Sequence, residues 1–184
     1  MKRLLLAICL LPALGMLAWQ KDKPVKTTTA AKPVTWYTWQ QAVELNKTAP
    51  RKFMIDVYTD WCGWCKKMDK ETFTNDTIAE YLNQHFYCVK LNAEMHDSLK
   101  FGGKTYTWIS PEKGGGSNGI HTFALWLLNG RMAYPNLVYM NEKLEHIVVS
   151  PGYKEPARLL PELRFSAEDI YKTKSLEAYK NQSN

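Results

Sequence analysis

A chain of 184 residues with 45% hydrophobic and 23% charged side chains carries enough apolar mass for one core and lacks the polar bias of a disordered polymer. One folded domain with short appendages is expected. The net charge of +6 comes from basic residues that are scattered or sit in pairs such as Lys66-Lys67, without the stripe that phosphate backbones need, which excludes nucleic acid as a partner.

Residues 1–19 open with Lys2 and Arg3, continue as an apolar run from Leu4 to Trp19 broken by Pro12 and Gly15, and end on small residues. This is the layout of a cleaved secretory signal, and the run is short of the roughly 18 to 20 residues that span a bilayer. A retained anchor is the competing reading, whereas Cys9 lies too early in the run to serve as a lipid-modified N-terminus. Losing Lys2 and Arg3 lowers the charge to +4 and leaves three cysteines, Cys62, Cys65 and Cys88. An odd count in an exported protein fits one reactive pair plus a lone thiol better than a disulfide framework.

Residues 20–35 contain Lys, Thr, Ala and Pro with few large apolar side chains and read as a flexible leader. The domain is expected over 36–165, starting with a helix capped by Thr38 whose apolar positions include Trp39, Ala42 and Val43, with Leu45 a further candidate, and which stops by Pro50. The apolar run 53–58 suits a central strand covered on both faces. Helical composition follows over 66–71 and 76–86, and 86–91 reads as a second strand, an order that implies parallel pairing through a crossover. From 92 to 119 the periodicity fails and glycines mark turns, so this stretch reads as an insertion. A buried helix at 120–128, a strand hairpin at 136–140 and 144–149, a core helix at 155–163 and a helical tail at 166–184 complete the chain.

The segment Trp61-Cys62-Gly63-Trp64-Cys65 stands where the central strand gives way to a helix. Unpaired backbone N–H groups and the helix dipole there favour a negative charge, which lowers the thiol pKa of Cys62 and makes it the attacking sulfur. Cys65, one turn on and less exposed, is placed to resolve the mixed disulfide. A permanent disulfide and half of a zinc site are the alternatives, and neither Cys88 nor His85, His96, His121 and His146 supplies zinc spacing. Gly63 and Trp64 influence the reduction potential, although Trp64 equally suits packing. Asp56 is a lone carboxylate within an apolar strand, costly to bury unless neutral or paired, so its pKa should be raised. It is either a general base for the Cys65 proton or a hydrogen-bonded structural residue. Tyr134-Pro135 stands at a strand entrance, where either a cis or an ordinary trans proline would serve. Gly102-Gly103-Lys104-Thr105 fails as a phosphate loop because Ser98 occupies the first glycine position. Tyr106 and Trp108 read as loop packing in preference to a partner surface, and Cys88 as a buried structural thiol.

On the segment 53–67, FMIDVYTDWCGWCKK, the chain resembles the thioredoxin superfamily. Asp60-Trp61-Cys62 with Lys66 and the later Glu71-Thr72-Phe73 are similar to the C-terminal domain of DsbD-type membrane disulfide reductases and related small exported proteins. The resemblance spans roughly 36–163 and implies an α/β thioredoxin fold, a central mixed sheet flanked by helices, with the insertion preceding a cis-proline at Pro135. It also implies that Asp56 is the family's buried carboxylate, and that Trp61, Gly63, Trp64, Tyr134 and Pro135 contact the substrate chain. Gly-Trp replaces the usual Gly-Pro between the cysteines, and the insertion is long.

The expectation is an exported, periplasmic thiol-disulfide oxidoreductase acting on protein thiols and disulfides, more a reductase than an oxidase, monomeric, needing no cofactor or metal, and supplied by a membrane electron donor. A non-catalytic binding or chaperone module and a metal-handling protein are the other classes.

Overall fold

The computed structural model describes residues 32–182. The expected signal segment, Cys9 and most of the expected leader lie outside that range. In chain order the elements are β1 (Trp36–Tyr37), α1 (Trp39–Thr48), β2 (Lys52–Tyr58), α2 (Gly63–Glu71), α3 (Asp76–His85), β3 (Phe86–Asn92), β4 (Leu99–Phe101), β5 (Lys104–Tyr106), β6 (Trp108–Ile109), β7 (Ile120–His121), α4 (Thr122–Leu127), β8 (Asn136–Met140), β9 (His146–Pro151), α5 (Pro156–Ala167) and α6 (Leu176–Gln182). The main sheet has the strand order β1-β3-β2-β8-β9. Strand β3 runs parallel to β1 and β2, while β8 is antiparallel to β2 and β9.

Side-chain alternation along β2 divides the core in two. Phe53, Ile55 and Val57 point to one face, where they meet Trp39 and Ala42 of α1 and Phe123, Ala124 and Leu127 of α4. Met54 points to the other, with Met68 of α2, Ile78 and Leu82 of α3, and Leu159 and Leu163 of α5. Fully burying each Val, Leu, Ile, Phe or Met among them stabilises the fold by roughly 1.5–3 kcal/mol. The sheet is therefore covered on both sides, and Asp56 falls on the α2 face. Thr38 caps α1 as its sequence implies, its hydroxyl accepting from the Gln41 N–H while the Gln41 side chain accepts from the Thr38 N–H.

Several boundaries differ from expectation, each for a local reason. Order begins before Trp36. Val34 is buried, and Asn83 accepts from the Thr35 N–H while donating to the carbonyls of Lys32 and Pro33. The two-residue strand β1 was too short to leave a periodic signal. Within 92–119, β4 and β5 pair as a hairpin and β6 pairs with β7. The insertion is folded because Leu99, Phe101 and Tyr106 pack on the α1–α4 core, so the packing reading of Tyr106 holds. Ile120 and His121 join β7, which delays the helix expected from 120. Strand β9 starts at His146 because Leu144 occupies a left-handed turn position with φ 62°. The tail is not one helix: α5 runs to Ala167, a 3-10 turn covers Ile170–Lys172, and α6 follows. The break falls at Asp169, which takes φ 60°. Among the described residues, no helix is long and apolar enough to cross a membrane.

Candidate functional site

Strand β2 ends at Tyr58, the Cys62 N–H donates to the Thr59 carbonyl at 3.2 Å, and the chain enters α2 with Cys62 as its N-cap. Extended backbone at Cys62 (φ −72°, ψ 103°) aims its sulfur at the helix end, where Sγ accepts from the Cys65 N–H at 3.1 Å. This is the place a Ser or Asp oxygen takes at other helix starts. The first turn of α2 carries no acidic side chain to oppose a negative sulfur. Cys62 and Cys65 form a disulfide with their Cα atoms 5.3 Å apart. The expected contrast in exposure between them is absent, with 4% for Cys62 and 3% for Cys65. Bonded sulfurs share the same cover, so the asymmetry lies in helix position instead.

Two indoles flank the pair, Trp61 at 59% exposure and Trp64 at 58%. The Trp61 Nε1–H donates to Glu94 Oε1 at 2.8 Å, and the Trp61 ring meets the Tyr134 ring edge-on with centroids 5.9 Å apart. Trp64 leans on Tyr153 at 5.3 Å, and the Lys67 ammonium lies 5.2 Å from each of those two rings. Gly63 is exposed, with open space where a side chain would project. The Tyr134-Pro135 peptide is cis. Because Val57 of β2 pairs with Asn136 of β8, Pro135 lies at the sheet end from which the cysteine loop departs. The Pro135 carbonyl accepts from the Gly152 N–H at 2.8 Å, which ties this loop to the end of β9.

On the α2 face, Asp56 Oδ2 accepts from Lys90 Nζ at 2.6 Å, and the same ammonium binds the Asp69 carboxylate on α2. Asp56 Oδ1 is buried without a hydrogen-bond partner. Burial raises the Asp56 pKa, and this outweighs the downward pull of Lys90. Burial pulls Lys90 the other way, yet its two carboxylate partners prevail and hold it charged above the ordinary lysine value. The rings of Trp36, Tyr58 and Phe73 surround the ammonium at 4.8, 5.1 and 5.4 Å.

A family model named Thioredox_DsbH, described as a protein of unknown function, DUF255, matches residues 18–116. The chain belongs to that family. Mouse (Mus musculus) spermatogenesis-associated protein 20 is 30% identical over 121 residues, 65% of this chain and 15% of its own length. The thiol:disulfide interchange protein DsbD of Vibrio vulnificus is 42% identical over 45 residues, 24% of this chain and 8% of its own. The chain thus spans a small fraction of these curated relatives. Among solved structures, DsbH oxidoreductase superposes with a TM-score of 0.53 at 14% identity, covering 82% of this chain and 92% of that one. A thioredoxin from Thermus thermophilus gives 0.52 at 16%, covering 72% and 86%. The fold is the thioredoxin fold, in a chain resembling DsbD-type domains.

Three residues of this candidate site escaped the sequence reading: Lys90, Asp69 and Glu94. Lys90 interrupts an apolar strand as Asp56 interrupts β2, and the parallel register Asp56–Lys90 would have matched the two had it been assigned. Asp69 stands four residues after Cys65, hence on one side of α2. Glu94 carried no signal, because only the folded loop brings it to Trp61. Cys88 is buried, which pushes its thiol pKa up. Among the described residues, no group of three or more His, Cys, Asp or Glu side chains is placed to hold a metal ion.

Proposed function

We propose that the chain is an exported thiol-disulfide oxidoreductase that reduces disulfides in protein substrates. The observation that carries this reading is the N-cap position of Cys62, whose sulfur accepts a helix N–H. In the reduced protein that geometry stabilises a thiolate.

The Cys62 thiolate attacks one sulfur of a substrate disulfide, forming a mixed disulfide and releasing the other substrate sulfur as thiolate. Cys65 then loses its proton to the Asp56 carboxylate, whose raised proton affinity suits it as base, and attacks Cys62 Sγ. A Cys62–Cys65 disulfide forms, and the second substrate thiolate leaves and is protonated from solvent. Two electrons pass from the dithiol to the substrate. A further dithiol donor, on the membrane side for an exported protein, must return them. Lys90 holds the Asp56 carboxylate in place while Asp69 shares its charge. Trp61, Gly63, Trp64, Tyr134 and Pro135 form the surface against which the substrate chain lies.

The test uses a Cys65→Ala variant incubated with a disulfide-bonded protein. A mixed disulfide through Cys62 should accumulate, and Cys62→Ala should abolish it. No adduct at any pH between 6 and 9 contradicts the proposal. A reduction potential near the roughly −270 mV of thioredoxin supports the reductive direction, and one near −120 mV makes the chain an oxidant.

A further inference from the structure

Beside the redox loop the insertion builds a cleft of about 360 Å³. Trp61 and Tyr134 form one wall, Ile120, Leu125 and Met132 add apolar surface, and the glycine-rich stretch 114–119 forms the rim. The rim is fixed by close packing. A Cβ at Gly119 would come within 2.3 Å of the Trp108 ring, at a φ of +79° that other residues rarely adopt, and one at Gly115 would lie 2.1 Å from the Ile109 carbonyl oxygen. A single carboxylate, Glu94, faces this largely apolar space. One of its oxygens accepts from Trp61, and among the described residues no Lys, Arg or His forms an ion pair with it. Its charge reaches the neighbouring phenol, since burial and then Glu94 push the Tyr134 pKa up to about 12.

We propose that this cleft selects disulfide substrates in which a lysine or arginine stands beside the reacting cysteine, the aliphatic stem lying between Trp61 and the glycine rim and the cationic head meeting Glu94. A long apolar stem ending in a cation matches the lining: hydrocarbon covers the indole and Met132 while the charge stays near the half-exposed carboxylate at the mouth. An acidic neighbour would instead place like charges together in a partly dry cleft. The cleft adjoins Trp61, the residue preceding Cys62, so its occupant is a near neighbour of the attacked sulfur. This inference rests on the exchange activity proposed above.

The test is thiolysis of short peptides, each with one cysteine blocked as a mixed disulfide with 2-mercaptoethanol and flanked by lysine, norleucine or glutamate. The reduced full chain is the reactant. Norleucine retains the lysine stem without its charge. The lysine peptide should react roughly five times faster than the norleucine peptide, the size expected of one partly exposed ion pair, with glutamate slowest. The preference should shrink as salt rises. Glu94→Gln, which keeps an acceptor for the Trp61 N–H, should bring the lysine-to-norleucine ratio to one. Ser117→Lys, a change on the exposed rim that sets a cation in the same cleft as Glu94, should independently shrink the lysine preference. Exchange that ignores peptide charge in the parent protein, or a preference that survives both substitutions, overturns the assignment. If no peptide is thiolysed at all, the exchange activity itself is refuted, and the assignment with it.

Discussion

Replacing Asp56 by Asn should make the protein more stable and less able to complete exchange. The carboxyl is almost wholly buried, with a side chain 2% exposed, and only one of its oxygens has a partner. Lys90 compensates incompletely because it is shared with Asp69. The folded state therefore binds the Asp56 proton more tightly than the unfolded chain, whose carboxyl titrates near 3.8. Between that value and the higher folded one, the native state holds more protons, so stability falls as pH rises through this window. Asn cannot ionise and escapes the loss. Its advantage should be near zero below pH 4 and level off above the folded pKa, at about 1.4 kcal/mol for each tenfold by which burial tightens proton binding. For a domain of this size that is roughly 2–4 °C in melting temperature per kcal/mol. Urea unfolding of the oxidised protein from pH 3.5 to 8.5 measures it. Greater stability of the parent at neutral pH would show that the Asp56–Lys90 pair is net stabilising, and a difference that does not vary with pH would show that folding leaves the carboxyl's proton affinity unchanged; either result refutes the reasoning. In exchange assays the same variant should accumulate mixed disulfide, with the resolving step slowed about 100-fold or more.

Gly119→Ala should destabilise by about 2–4 kcal/mol, through a left-handed backbone forced on a non-glycine residue and a clash with Trp108; denaturant midpoints and near-ultraviolet dichroism report it. Leu82→Ala removes a fully buried side chain beneath the sheet and should cost about 2–5 kcal/mol by urea unfolding. Cys88 should resist iodoacetamide at pH 8 in the native state and react on denaturation, because burial keeps its thiol protonated; labelling in native buffer would show instead that the β3 region opens.

Much of this was legible beforehand where one physical rule acted locally. The apolar run at 53–58, interrupted by Asp56 alone, marked a strand buried on both faces. Thr38 before an apolar-periodic stretch announced a helix start, and a cysteine pair at a strand-to-helix junction pointed to its chemistry. A cis Pro135 required the family resemblance, since a strand-entrance proline alone admits either isomer. What stayed hidden depended on distant parts of the chain. Asp69, Lys90 and Asp56 come from a helix and two strands; the pairing register unites Asp56 with Lys90, and the packing of α2 on the sheet brings Asp69 to them. Glu94 reaches Trp61 through a loop with no period to read. The insertion looked irregular because its strands are two or three residues long, too short for alternation to show, although Leu99, Phe101 and Tyr106 anchor it firmly.

The account turns on the sulfur that caps α2. Reducing the protein and following alkylation of each cysteine by mass spectrometry between pH 4 and 10 tests it directly. Cys62 should react first, with a midpoint clearly below the roughly 8.5 of a free thiol, while Cys65 and Cys88 lag behind. A Cys62 midpoint at or above that of a free thiol, or labelling of Cys62 and Cys65 in parallel, would contradict it.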